Sequence, residues 1–390
     1  DCNMLIKRYL FYGKIYTYDN KMTLHIFNPE HDIALAINKS IFTAPHSARE
    51  LRADLGFLPA LYAEKGDWVL VENVEAANES LRHLNAFSKE VKFLSPAQLA
   101  EKDLSNIDLR IQPWGWDRAI ATYLSGINPQ LEQFLPSNEA LDTIRNISNR
   151  SFAACSLLPH LVSLSNDLIG DSIYFTDSHE KVMQFFNDNP ALYVIKAPWS
   201  SSGRGVRYID NTVDESNKGW MKNILEQQGG LIIEPYYNRV LDFGMEFYAS
   251  EQGEIEYKGL SIFSTENRAY SGNLLANEAI KEGIVNQFIK QELLQLVQTN
   301  ICLQLASAFK GKYVGNFGVD MMVVTTDDAT TFKLHPCVEL NLRTTMGHVA
   351  LALSPTDFAP KKMMKIDYLD KYHLAINLVG DDLLDTNLVR

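Results

Sequence analysis

Residues 193–209 read Tyr-Val-Ile-Lys-Ala-Pro-Trp-Ser-Ser-Ser-Gly-Arg-Gly-Val-Arg-Tyr-Ile, two β-rich runs joined by a loop of small residues that opens after Lys196. In the loop Ser200, Ser201, Ser202, Gly203, Arg204 and Gly205, short side chains let backbone N–H groups approach phosphate oxygens. Lys196 and Arg204 add positive charge beside them. No GxxxxGK[ST] pattern occurs anywhere in the chain, and the loop joins two strands instead of opening a helix, which excludes a Walker-type phosphate loop. A plain hairpin loop would have the same composition, so the elements around it have to decide.

Downstream, Gly318-Val319-Asp320 lies on one apolar run and Val338-Glu339-Leu340-Asn341-Leu342-Arg343 on the next. Alternate residues of a strand share a face, so Glu339 and Asn341 point together and Asp320 can join them from the neighbouring strand. Three hard oxygen donors suit Mg²⁺, with Mn²⁺ as an alternative, because such ions take few carboxylates and fill the remaining positions with phosphate and water. Arg343, on the same face, could hold a phosphoryl group or a substrate carboxylate as charge develops. Between these elements Leu231-Ile-Ile-Glu-Pro-Tyr-Tyr237 ends an apolar strand in Glu234, Tyr236 and Tyr237, a setting for an adenine edge. Asp242 could accept ribose hydroxyls, and Glu246 is a second candidate whose plain alternative is an exposed strand acid.

The 390 residues, 46% of them hydrophobic, suffice for two or three folding units. From Met22 to about Leu124, the runs LHIF, WVLVE, VKFL and DLRIQ alternate with helical stretches, the pattern of an α/β layer with a mainly parallel sheet. Such sheets bind ligands at strand C-termini. Two polar segments fall there, Asn28–Asp32 and Pro113–Arg118. Asp32 reads as a turn and helix cap, with an amine contact from His31 as the sharper alternative. Asp117 and Arg118 read either as a reader of a zwitterion or as interdomain packing. Ser137, Pro136 and Pro159 mark the start of a helical segment and a unit boundary. Gly253 is expected in a positive-φ turn between two antiparallel strands, a long helix over residues 278–310 is expected to end at Gly311, and Thr325–Thr330 is expected to join a closing hairpin.

A net charge of −12 and a pI near 5.3 argue against a general nucleic-acid binder. Four cysteines without a CxxC pair suggest neither a zinc knuckle nor a disulfide framework, and His335 with Cys337 reads as structural. A cytoplasmic location without membrane insertion is expected from the reduced cysteines and the lack of an 18-residue apolar run. Residues 1–21 read as a leader extension, with Met22 as the expected natural start.

The order Lys196, small-residue loop, LIIEPYY, Asp242, GVD and VELNLR resembles the ATP-grasp superfamily over about residues 137–355. The resemblance implies an α/β protein that turns α+β in its C-terminal part. A pre-ATP-grasp-like domain over 22–136 would precede a two-lobed ATP-grasp fold, with a phosphate-loop subdomain over 137–232 and a metal-site subdomain over 233–390. It places phosphate at Lys196 and the loop, adenine at Glu234, Tyr236 and Tyr237, and ribose at Asp242. The metal falls on Asp320, Glu339 and Asn341, with Arg343 after them; Arg150 stands where the family usually has a lysine. Lys196, Arg204 and Arg343 would act on the transferring phosphoryl group. His31, Asp117, Arg118, Arg268 and Asn273 are substrate candidates. The implied reaction joins a carboxylate to an amine through an acylphosphate, with ATP and Mg²⁺ and with an amino acid, peptide or related small acid as substrate. A non-catalytic ATP-binding regulator and a kinase making a phosphoester are the alternatives, and oligomeric state is left open.

Overall fold

The computed structural model describes residues 8–11, 14–17, 21–82, 84, 90–176, 178–200, 205–266, 269–326 and 331–379. Ser201, Ser202, Gly203, Arg204 and Arg268, and most of the expected leader and of the Thr325–Thr330 connection, lie outside the described residues. Within residues 1–21, β1 (Arg8–Phe11) and β2 (Lys14–Thr17) form an antiparallel pair.

The first large unit is a parallel sheet of β3 (Met22–Ile26), β4 (Trp68–Leu70), β5 (Lys92–Leu94) and β6 (Leu109–Pro113), in the order β5-β4-β3-β6. Leu24, Ile26, Leu70, Leu94 and Ile111 are buried in it, as parallel strands covered on both faces require. Asn28, just past β3, clasps the loop past β6, donating to the Gly115 carbonyl and accepting from the Gly115 N–H. A side chain at residue 115 would meet the His31 ring at 2.3 Å, so the two strand-end loops close on each other only because that position is glycine.

A second, antiparallel sheet has the order β7-β10-β8-β9, from β7 (Ile173–Phe175), β8 (Leu192–Lys196), β9 (Val206–Asp210) and β10 (Leu231–Pro235). Ile195, Ile209, Leu231 and Ile233 pack against Val182, Phe186 and Met221 of the helices His179–Asp188 and Glu215–Gln228. Strand alternation then sends Lys196 and Glu234 to the opposite face.

The third sheet holds β11 (Asn238–Ala249), β12 (Ile255–Glu266), β13 (Ala269–Leu275), β14 (Gly315–Thr325), β15 (Phe332–Asn341), β16 (Lys362–Tyr368) and β17 (Tyr372–Leu378), ordered β15-β14-β11-β12-β13-β16-β17. Its core face carries Phe243, Phe247, Phe317 and Val319 against Val297, Ile301 and Phe309. Gly253 has φ 83° in the β11–β12 turn and Gly311 has φ 69° after the long helix, both as read from the sequence. The expected helix over 278–310 is instead two, Glu278–Val285 and Gln291–Phe309, because Asn286 ends the first while Ile289 stays buried and keeps the apolar rhythm running through the break. Among the described residues no helix is long and apolar enough to cross a membrane.

Phe317 stacks on Phe247 at 5.1 Å and meets Phe309 edge-on at 5.0 Å with no exposed surface. Phe317→Ala is expected to lower unfolding stability by about 3–5 kcal/mol in a denaturant titration, and a loss below about 1 kcal/mol would contradict this packing.

Candidate nucleotide and metal site

Antiparallel register sets Glu339 beside Asp320 and Asn341 beside Gly318, and the next strand over places Gly244 beside Asp320 and Glu246 beside Gly318. Two short rows of polar groups therefore cross β11, β14 and β15 on the face opposite the core helix Gln291–Phe309. Asn341 Nδ2 donates to Asp320 Oδ2 at 2.9 Å. Glycine is what makes room: a Cβ at residue 318 would lie 2.6 Å from Glu246 Oε2, and one at 347 would collide with Glu246 Oε1 at 1.8 Å. Gly318 belongs to the Gly-Val-Asp motif read from the sequence, whereas Gly347 was not singled out there.

The carboxylates share little water. Burial, then repulsion from Glu339, pushes Asp320 up to about 7, against the Asn341 amide that holds it down. Burial, then the nearby Asp320, pushes Glu246 up to about 8. Glu246 accepts from Thr345 Oγ1 at 2.9 Å and lies 3.1 Å from His348 Nδ1, whose own pKa burial depresses to about 4. Glu246 is 3% exposed and lies beneath the row, so it is not the exposed strand acid that was its plain alternative.

Across the cleft, Lys196 Nζ pairs with Glu234 Oε2 at 2.6 Å and donates to the Val338 carbonyl at 3.0 Å, so one buried cation joins the second sheet to β15. The loop after it starts anchored: Trp199 lies under the Arg145 guanidinium at 3.7 Å and donates to the Arg145 carbonyl, while Ala197 N–H donates to the Gly205 carbonyl. A Cβ at Gly205 would strike Ser200 Oγ at 2.2 Å. Arg150 binds both sides, donating to the Ala197 carbonyl, Ser200 Oγ and the Ser200 carbonyl, and to Glu339 Oε1 at 2.6 Å. Its Nε, though buried, has no hydrogen-bond partner. The space left between Arg150, Ser200, Glu339 and Asn341 is about 10 Å³, room for one water.

Arg343 donates through Nε to Asp32 at 3.2 Å and through Nη2 to Asn341 Oδ1 at 3.0 Å. Burial works against its charge, but Asp32 and Glu339 outweigh it and raise its pKa; on Asp32 burial acts upward and Arg343 prevails, lowering it. Asp32 is therefore an ion-pair partner and not a cap, which corrects its reading: the helix His31–Ile37 has Glu30 at its N-cap with no side-chain capping bond.

The other substrate candidates that the structure describes have partners within the chain. His31 is buried with Nδ1 3.0 Å from Asp117 Oδ2, and Asp117 caps the helix Arg118–Ile127 through the Ile120 N–H. Arg118 is held by Asp142 and Asn138. Asn273 is buried and bonded to Ser261 and Tyr270. At the link from β10 to β11, Tyr236 is exposed and Tyr237 meets His335 edge-on at 5.5 Å. Asp242 pairs with Arg239 at 2.8 Å, and burial pushes it up to about 6.

No group of three or more His, Cys, Asp or Glu side chains able to hold a metal occurs among the described residues. The donor set is two carboxylates and one carboxamide, which fits an ion that draws its remaining ligands from phosphate and water, as Mg²⁺ does. The paired carboxylates fit it too, since a divalent cation would relieve the repulsion from Glu339 that, after burial, raises Asp320.

No protein-family model matches the chain, and no curated protein matches it by sequence. It is similar over most of its length to solved ATP-grasp structures. N5-carboxyaminoimidazole synthetase from Staphylococcus aureus, solved with ADP, is 12% identical, with 94% of this chain and 95% of that one covered at a TM-score of 0.49. An Archaeoglobus fulgidus protein described as ATP-grasp is 13% identical over 92% and 100%, at 0.46. Biotin carboxylase from Campylobacter jejuni is 14% identical over 88% and 75%, at 0.47.

Because the folded Asp320 binds its proton up to about pH 7 and the unfolded one only to 3.8, its contribution to stability is complete below the lower value and lost as pH rises through the upper. Without divalent cation, unfolding free energy is expected to fall from pH 5 to 8 by about 1–3 kcal/mol, and Asp320→Asn should make the fall shallower, with Glu246 and Asp242 supplying the remainder. Urea titrations across that range check it; parallel profiles for the two proteins would rule the assignment out.

Proposed function

We propose that this chain is an ATP-dependent, ADP-forming ligase of the ATP-grasp type that joins a carboxylate to an amine. The observation that carries the reading is the facing of two sets across one cleft: Asp320, Glu339 and Asn341 on β14 and β15, against Lys196, Arg150 and Ser200. A paired acid row opposite a cation-flanked loop is what a polyphosphate with its divalent ion requires.

In this reading residues 137–232 and 233–390 are the two lobes that close on the nucleotide, behind an acceptor-binding unit over 22–136. Adenine lies at the β10–β11 link against Tyr236 and Tyr237, with the backbone near Glu234 reading its edge, and Asp242 exchanges Arg239 for ribose hydroxyls. Mg²⁺, when bound at Asp320 and Glu339, supplies charge neutralisation. Lys196 and Arg150 hold phosphate oxygens, which for Arg150 means giving up Glu339 and turning its unpartnered Nε toward the ligand. Arg343 holds the attacking carboxylate, between Asp32 and Asn341. A carboxylate oxygen attacks the γ-phosphorus and ADP leaves with the bridging oxygen's electrons. The amine then attacks the acyl carbon, phosphate departs, and the amine proton goes to solvent. Electrostatic positioning does this work without a side-chain nucleophile. The substrates are an amino acid, peptide or related small acid and a small amine, met in the cytoplasm.

Purified protein is expected to release ADP only when both acid and amine are present, with the product an amide. Glu339→Ala and Lys196→Met should each lower kcat by about a hundredfold or more while the fold persists. A phosphoester product would identify a kinase, ADP binding without any turnover would identify a regulator, and full activity in Glu339→Ala would remove the metal assignment.

A further inference from the structure

A cavity of about 440 Å³ lies away from the phosphate loop, between β6 and the ends of β11 and β14. None of the nucleotide or metal residues lines it. β6 is the outer strand of the parallel sheet, so the backbone groups on its outer side, from Leu109 to Pro113, face this space and not another strand. Trp116, Tyr248 and Phe134 supply aromatic walls. The charged residues on the wall are Lys21, Arg110, Lys312 and Glu251, three cations to one carboxylate in a chain whose net charge is −12. Glu251 lies 3.4 Å from Arg110 and Lys21 lies 3.9 Å from Asp108 beyond the wall, so the positive charge of the wall centres on Lys312. Lys312 and Glu251 stand at the exposed rim, while Trp116 and Tyr248 lie deeper, half-buried.

We propose that this cavity is a second small-molecule site, taking an anion with a flat apolar body: a planar ring system bearing a carboxylate, sulfonate or phosphate. Its volume is that of sites which enclose a compact organic ligand. The aromatic walls receive the ring, and the rim cations receive the charge where solvent still reaches them. The floor is formed by Thr344, whose N–H donates to the Trp114 carbonyl and whose hydroxyl accepts from Asn316 Nδ2 at 3.2 Å. Arg343 precedes Thr344 in the chain, so the second site and the phosphoryl-transfer site share a wall without sharing a ligand.

The probe is 8-anilinonaphthalene-1-sulfonate, a planar anion, titrated by fluorescence against the full chain, with its uncharged relative N-phenyl-1-naphthylamine as control. One site is expected for the anion, and the uncharged relative should bind about tenfold more weakly. Ala140→Trp, which fills the cavity from the helix Asn138–Ile147, should lower anion affinity by about tenfold or more, and excess ADP should leave it unchanged. Where Ala140→Trp does not melt cooperatively, Lys312→Glu on the exposed rim replaces it, with the affinity expected to drop about fivefold. Absence of binding, equal affinity for the uncharged relative, indifference to the variant, or displacement by ADP would each overturn the second site. Displacement by ADP would do so while supporting the nucleotide reading, and failure of ADP to bind at all would sink that reading and leave this result standing.

Discussion

Crowding carboxylates out of water is the constraint from which the rest of this molecule follows. Asp320 and Glu339 face each other across a β-ladder, with Glu246 a strand further in. In a low-dielectric setting two such charges repel strongly unless protons or cations intervene. The chain supplies both remedies. Glu246 and Asp320 hold protons well above the ordinary carboxylate range, and Arg150 and Arg343 bring guanidinium groups to Glu339 and Asn341. Glycines at 318 and 347 clear the space that makes the crowding feasible.

Those guanidinium groups also hold the architecture together. Arg150 ties the helical segment to the phosphate loop and to β15, and Arg343 ties β15 to the first helix of the parallel unit through Asp32. Truncating one partner of such a buried pair leaves the other uncompensated, so the pairs favour one relative placement of the sheets more than they add net stability. The acid row thereby recruits its neighbours as well as its ligand.

Much of this was legible in sequence. The Lys196 loop, the alternation of Glu339 and Asn341, the Gly253 turn and the strand pattern of residues 22–113 depend on local chemistry, and local chemistry is what periodicity and turn residues record. What was not legible depends on the packing of sheets. Arg150 meets Glu339 across 189 residues, and His31 meets Asp117 across 86. Asp32 looked like a cap because its type and position fit one, and only the arrival of Arg343 from the far end of the chain gives it another partner. The break between the helices at 285 and 291 escaped for the opposite reason: Phe288 and Ile289 sustain the apolar spacing although the backbone has left the helix.

The short link between β10 and β11 has a thermodynamic side. Pro235 ends one strand and Asn238 begins the next, so the two antiparallel sheets are joined there by Tyr236 and Tyr237 alone. The bonds from Arg150 to Ser200 and Glu339 and from Lys196 to the Val338 carbonyl, with backbone bonds between Leu334 and Asp167 and Ile169, hold the two sheets closed beside that joint. Any occupant of that cleft must first undo this closed state, so its observed affinity is its intrinsic affinity scaled by the fraction of molecules already open. Weakening the Arg150 bridge would then raise that fraction while, under the proposed function, removing a phosphate contact, two opposed effects seated in one side chain.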